Sequence, residues 1–166
     1  YNAQVQDLEG EDPVLFVGSS SIRMWKDVQE RFNHLAVLNR GFGGSQMSDL
    51  LYYVDDLVIK YHPKQVFIYE GDNDLASGKT TDVVMSDTKK VVSAIRSALP
   101  NAQIVLIAAK PSVARWNLKS KYLELNKAFE DYTVRHDYLT YADVWNPALD
   151  KDGMVFKDIF LEDNLH

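Results

Sequence analysis

The sequence contains no cysteine, only five prolines and eight glycines, and fewer basic than acidic side chains. The absence of cysteine excludes a disulfide scaffold, a thiol nucleophile and any cysteine-ligated metal site, and leaves the compartment open. Long apolar runs are absent too. Ile104 to Ala109 is among the longest, against the ~18 residues needed to cross a bilayer. Eighteen Lys and Arg stand against 24 Asp and Glu, a net charge of −6. That balance disfavours a nucleic-acid surface or a polybasic membrane anchor. No signal-peptide pattern opens the chain, which begins at Tyr1 rather than Met. This start fits removal of an upstream segment, as in an exported protein. What is present is ordinary for a globular protein: 46% hydrophobic and 25% charged residues in a chain of 166. The expectation is one soluble domain over residues 1–166, burying roughly 70% of its unfolded surface without metal or disulfide staples.

Short apolar runs alternate with longer amphipathic stretches. The runs are Val14 to Val17, Leu35 to Leu38, Val66 to Tyr69, Ile104 to Ala109 and the more polar Leu139 to Val144. Each is predicted to be a buried strand. Between them, a first helix is expected over Ser20 to Phe32. A second carries Met47, Leu50, Leu51, Val54, Leu57 and Val58, stepping by three and four. A third carries Val84, Val91, Val92, Ile95 and Leu99 and stops at Pro100. A fourth carries Leu118, Tyr122, Leu125, Phe129 and Tyr132. These stripes are core. Strands alternating with helices give βαβ units and a mainly parallel sheet, whose functional groups collect at the carboxyl ends of the strands.

Those ends hold the unusual residues. The first strand runs into Gly18-Ser19-Ser20-Ser21, where a serine meets the free N–H groups of a helix start. Capping and nucleophilic roles are both open there, and one of the three serines is expected to cap the helix. The segment lacks the second glycine of a Gly-x-Ser-x-Gly elbow and the Gly-Lys-Ser/Thr of a phosphate loop. The second strand leads to Gly41-Phe42-Gly43-Gly44, a tight turn or a site of close backbone approach. The third leads to Gly71-Asp72-Asn73-Asp74, an Asx turn, a cap or a source of an oxyanion-binding amide. Asp150-Lys151-Asp152-Gly153 is only a fragment of a calcium loop and reads as a turn. At the end, Asp163 precedes His166 by three residues, a spacing that lets a carboxylate orient an imidazole. His34, His62 and His136 have no such partner and read as surface or loop residues. No metal ligand set and no cofactor motif is expected.

Taken together, Gly18-Ser19-Ser20, Gly44, Gly71-Asp72-Asn73 and Asp163-x-x-His166 resemble, in order and in placement at strand ends, the SGNH (GDSL-type) hydrolases. The resemblance runs from Val14 to His166. Phe16 to Trp25, Asn39 to Gly44 and Lys110 to Trp116 look like a bacterial esterase branch of that family, a GDSL-like lipase/acylhydrolase. The resemblance implies an α/β flavodoxin-like three-layer sandwich with a five-stranded parallel sheet of order 2-1-3-4-5. It implies Ser20 as nucleophile, His166 as general base and then acid, and Asp163 as the residue that orients His166. It implies an oxyanion hole made by the N–H groups of Ser20 and Gly44 and the side-chain amide of Asn73. One departure is Ser19, where the family motif has aspartate. That aspartate is not catalytic, and its loss leaves Ser19 or Ser21 to cap the helix.

The family sheet also carries a helix after the Asp-x-x-His segment, and none follows His166 here. The chain is therefore expected to be truncated, or to have that face covered by self-association or by a second polypeptide. Short connections with no apolar lid favour a small-molecule ester. Trp25, Tyr69, Arg115 and Trp116 are placed near strand ends as candidate substrate-binding residues. The expected activity is that of a serine esterase on short-acyl esters, O-acetyl groups on carbohydrate among them, with a lysophospholipase-type acylhydrolase as an alternative. Two readings from other classes are a non-catalytic binding module on the same scaffold and a flavodoxin-like nucleotide or phosphate binder. The second leaves Asp163 and His166 unexplained.

Overall fold

The structure is a computed structural model that describes residues 12–166. Among them, five strands form one parallel sheet: β1 Val14–Gly18, β2 Val37–Gly41, β3 Gln65–Tyr69, β4 Gln103–Ile107 and β5 Leu139–Ala142. Their order is β2-β1-β3-β4-β5, as expected. The helices are α1 Ser20–Met24, α2 Val28–Arg31, α3 Met47–Tyr52, α4 Val54–Leu57, α5 Asp72–Ala76, α6 Thr81–Ala98 and α7 Lys119–Thr133. None is long and apolar enough to cross a membrane.

Side-chain alternation divides the sheet into two faces. Leu15, Val17, Val66, Ile68, Ile104 and Leu106 point to one face. There they pack against Leu50 of α3, Val84, Val91 and Ile95 of α6, and Leu125 and Phe129 of α7. Each such buried aliphatic or aromatic side chain contributes roughly 1.5–3 kcal/mol relative to exposure. Val14, Phe16 and Tyr69 point to the other face and pack on Ile22 of α1 and Val28 of α2. Phe16 and Phe67 face each other across the β1–β3 register and stack at 4.5 Å.

Two expected helices are each divided. The helix expected over Ser20 to Phe32 is α1 and α2, with a turn at residues 25–27. The Asn39 side chain, reaching from β2, donates to the carbonyls of Ile22 and Trp25 at 2.7 and 3.1 Å. Those carbonyls are thereby satisfied at the end of α1, and the chain is free to turn. The stripe from Met47 to Val58 is α3 and α4, kinked at Tyr53, yet Met47, Leu50, Val54 and Val58 all remain buried. The second strand lies later than its apolar run suggested, because polar Asn39 and Arg40 belong to it. Arg40 sits under the Tyr61 ring at 4.3 Å, which accommodates a cation in a strand. β4 ends at Ile107, short of Ala109. The fifth strand is also shorter than expected, ending at Ala142. No serine side chain caps α1. Ser19 holds the N-cap position, but its backbone carbonyl does the closing, accepting from Ile22 and Arg23 at 3.1 Å each. Asp150 forms the expected turn, its side chain accepting from the N–H groups of Asp152 and Met154 at 2.9 Å each.

Because all strands run in one direction, the segments that follow β1, β2, β3 and β4 emerge at one edge of the sheet. The 108–115 segment is tied down there by Asn126 of α7. Its side-chain amide donates to Ala109 O at 3.0 Å and accepts from Ala109 N at 2.8 Å.

Candidate active site

Ser20 is the first residue of α1, so its N–H has no partner within the helix. The turn that delivers it depends on Gly18. Its φ is +146°, and a Cβ there would lie 2.1 Å from the Tyr69 carbonyl oxygen. Only glycine lets β1 pass so close to β3 and then turn into α1. Ser20 is half-buried, and its hydroxyl donates to His166 Nε2 at 2.6 Å. The opposite ring nitrogen, Nδ1, donates to Asp163 Oδ2 at 2.6 Å. Asp163 fixes the tautomer: a carboxylate accepting at Nδ1 leaves the Nε2 lone pair toward serine. Its other oxygen accepts from the N–H groups of Leu165 and His166, at 2.9 Å each. The hydrogen bond from the His166 ring, and then those two backbone bonds, hold the Asp163 carboxyl well below the usual carboxylate range. The segment is closed by Asn164 in the left-handed region, φ 56°, and docked by Ala114 N–H on Asn164 O at 3.0 Å. Lys110 Nζ donates to Leu165 O.

Gly44 stands at φ +79° on an exposed turn, with nothing within 4 Å of where a Cβ would lie. Among the described residues its N–H has no acceptor. Asn73, in α5, has an amide oriented by partners on both sides. Nδ2 donates to Ser45 O at 2.9 Å, and Oδ1 accepts from Arg115 at 3.1 Å. One Nδ2 proton is left over. The same Arg115 nitrogen donates to Asp72 Oδ1 at 2.6 Å, and Asp72 also accepts from the Tyr122 hydroxyl. Asp74, fully buried, accepts from Met47 N–H at 3.0 Å and pairs with Lys79 at 2.8 Å. The three polar residues of Gly71-Asp72-Asn73-Asp74 thus separate. Asp74 ties α5 to α3, Asp72 holds Arg115, and Asn73 alone keeps a free donor.

A cleft of about 270 Å³ lies beside His166, lined by Ser21, Met24, Trp25, Lys110 and Leu161. Trp25 lines this cleft, with its ring edge-on to Phe16 at 5.3 Å. The other three substrate-binding candidates are not among the residues that line this cleft. Tyr69 is 3% exposed and belongs to the core, its hydroxyl 3.4 Å from Asp72, so it does not line the cleft. Alternation on β3 turns it inward with Phe67. Arg115 donates to Asp72 and to Asn73 Oδ1. Trp116 stacks on Trp145 at 6.0 Å and under Lys119, and is a packing residue. Sequence reasoning missed Lys110, Ser45 and Glu70. Lys110 entered only as the first residue of the Lys110 to Trp116 segment, although a lysine straight after an apolar strand at this edge is a usable signal. Ser45 and Glu70 carry no spacing signal at all.

Solved structures share this architecture. One from Streptococcus pneumonia aligns with a TM-score of 0.84 at 21% identity, over 94% of this chain and 76% of its own. A GDSL-like lipase from Bacteroides thetaiotaomicron aligns at 0.80 and 19%, over 98% and 83%. An acetyl esterase mutant, solved with an acetate ion, aligns at 0.72 and 16%, over 93% and 87%. At these identities the likeness establishes the fold. No curated protein sequence matches the chain significantly. The model of the GDSL-like lipase/acylhydrolase family matches residues 11–166, the span that holds every strand of the sheet and the Ser20–His166–Asp163 chain, and the protein belongs to that family of ester hydrolases.

Proposed function

We propose that this family member is a serine esterase acting on short-acyl esters, O-acetyl groups on carbohydrate among them, through an acyl-enzyme intermediate. The observation that carries the reading is the continuous hydrogen-bond chain from Ser20 through His166 to Asp163, with 2.6 Å at each link. A serine hydroxyl is a weak nucleophile until a base takes its proton. His166 Nε2 takes it as Oγ bonds to the ester carbonyl carbon. The carbonyl oxygen becomes an oxyanion, met by the N–H groups of Ser20 and Gly44 and the spare Nδ2 proton of Asn73. The ester C–O bond then breaks, and His166 returns the proton to the departing alcohol. Water attacks the acylated Ser20, gives its proton to His166, and the acid leaves as Ser20 recovers its own. Asp163 stays ionised throughout, stabilising the imidazolium.

The cleft of about 270 Å³ beside His166 has room for a short acyl chain. The acetyl esterase among the structural neighbours, solved with acetate, supports the same acyl class. The test is hydrolysis of p-nitrophenyl acetate, butyrate and octanoate across pH. Acetate and butyrate are expected to turn over faster than octanoate. The rate is expected to fall on the acid side as the base is protonated. A rate flat down to about pH 4.5 contradicts a histidine base.

Arg115 gives a second expectation. Arg115→Lys keeps a cation beside Asp72 but loses the planar fork that also holds Asn73 Oδ1. Turnover is expected to fall about ten- to a hundredfold with KM nearly unchanged, since a displaced donor weakens only the transition state. A rise in KM at constant kcat would return Arg115 to substrate binding.

A further inference from the structure

Ser45 Oγ lies 3.0 Å from the Phe42 carbonyl oxygen and 2.6 Å from Glu70 Oε1. A hydroxyl has one proton and a carbonyl has none, so three oxygens in a row need two protons between them. Phe42 O can only accept. If the Ser45 proton goes to it, Glu70 must bring its own. Glu70 is 1% exposed, and among the described residues its second carboxyl oxygen has no hydrogen-bond partner. As a carboxylate it would leave charge on an unpartnered buried oxygen, a state far costlier than a neutral acid in the same place.

The surroundings agree. Asp49 faces it from α3, and Asp72 and Asp74 face it from α5, all of one sign. Two of these carboxylates carry their own cations: Lys79 pairs with Asp74 and Arg115 with Asp72. Burial, opposed by the Ser45 hydrogen bond and reinforced by these carboxylates, pushes the Glu70 carboxyl up to about 8.

We propose that Glu70 is a positioning residue held as a neutral acid, donating to Ser45 so that Ser45 can donate to Phe42 and lock the turn that presents the Gly44 N–H. Ser45 O also receives the Asn73 amide, so both non-serine donors of the oxyanion site hang on this relay. The inference rests on the esterase reading of the site. Ionisation of Glu70 removes the donor. The Ser45 proton must then turn to the carboxylate, and the Phe42 carbonyl loses its partner.

The test follows the wild-type protein, labelled in glutamate carboxyl carbon and backbone nitrogen, by NMR from neutral to alkaline pH. The Glu70 carboxyl is expected to be neutral at pH 7 and to ionise near pH 8, with the Gly44 amide resonance moving along the same curve. Ester turnover is expected to fall about tenfold between about pH 7 and about pH 9, with KM little changed. Glu70→Ala is expected to lower neutral-pH turnover about tenfold. Glu70→Gln, which keeps a donor to Ser45 and cannot ionise, is expected to rescue it and to flatten the alkaline fall. A Glu70 carboxyl ionised at pH 7 overturns the proposal. So does an alkaline fall that persists in Glu70→Gln, which would assign it to another group such as Lys110, whose burial lowers its pKa. If the wild type hydrolyses no ester, the esterase reading fails, and the NMR titration still decides the state of Glu70.

Discussion

Ser20→Ala is expected to lower ester turnover by about 10⁴-fold or more, while the protein stays folded. The side chain is half-buried, and its one hydrogen bond runs to His166, so nothing in the core loses support. What is lost is the atom that forms the acyl bond. Ser19→Ala and Ser21→Ala are expected to leave turnover close to wild type. Ser19 is 2% exposed, and its hydroxyl does not cap α1. Ser21 lies one residue past the atom that meets His166, although it borders the cleft. The comparison of the three variants by kcat is therefore sharp. If Ser21→Ala were the inactive one, the hydrogen bond between Ser20 and His166 would have no catalytic meaning.

Asn73→Ala is expected to lower kcat by about 10²–10³, roughly 3–4 kcal/mol of transition-state stabilisation, with KM little changed. Both amide contacts that Asn73 makes are internal. Arg115 holds its oxygen, and Ser45 O receives one N–H. These leave one amide proton unused, and in the proposed mechanism that proton matters only once negative charge develops. Asn73→Asp separates the two functions. Arg115 would still hold a carboxylate at this position, so the fold is expected to survive. The second carboxylate oxygen would face Ser45 O and the oxyanion, so activity is expected to fall at least as far as in Asn73→Ala. A loss of less than about tenfold in Asn73→Ala would remove Asn73 from the oxyanion site.

The sheet was legible because each strand is an apolar run and each long helix a clean stripe. Val84, Val91, Val92 and Ile95 are all buried on α6 where the periodicity put them. Legibility failed where a side chain from a distant element intervenes. Nothing near residues 25–27 announces that Asn39, fourteen residues beyond Trp25, will satisfy the last carbonyls of α1. Arg40 obscured the true span of β2 for the same reason, since its place under Tyr61 is a tertiary fact. The residues proposed for catalysis were legible through a motif order that spans the chain. The groups that orient them were not. Arg115 reads as a cation near a strand end, which suggests substrate. Only its distances to Asp72 and Asn73 give it a positioning role. Tyr69 and Trp116 were placed near the site by strand position alone; strand alternation takes Tyr69 into the interior, and the Trp145 stack holds Trp116 half-buried against the core.

The most direct test of the central claim is chemical. A fluorophosphonate reacts only with a serine whose base is in place, and its adduct can be located by mass spectrometry of peptides. The account predicts one adduct, on Ser20, formed at neutral pH and lost in both Ser20→Ala and His166→Ala. No adduct on folded wild-type protein, or an adduct elsewhere that survives in Ser20→Ala, would contradict it.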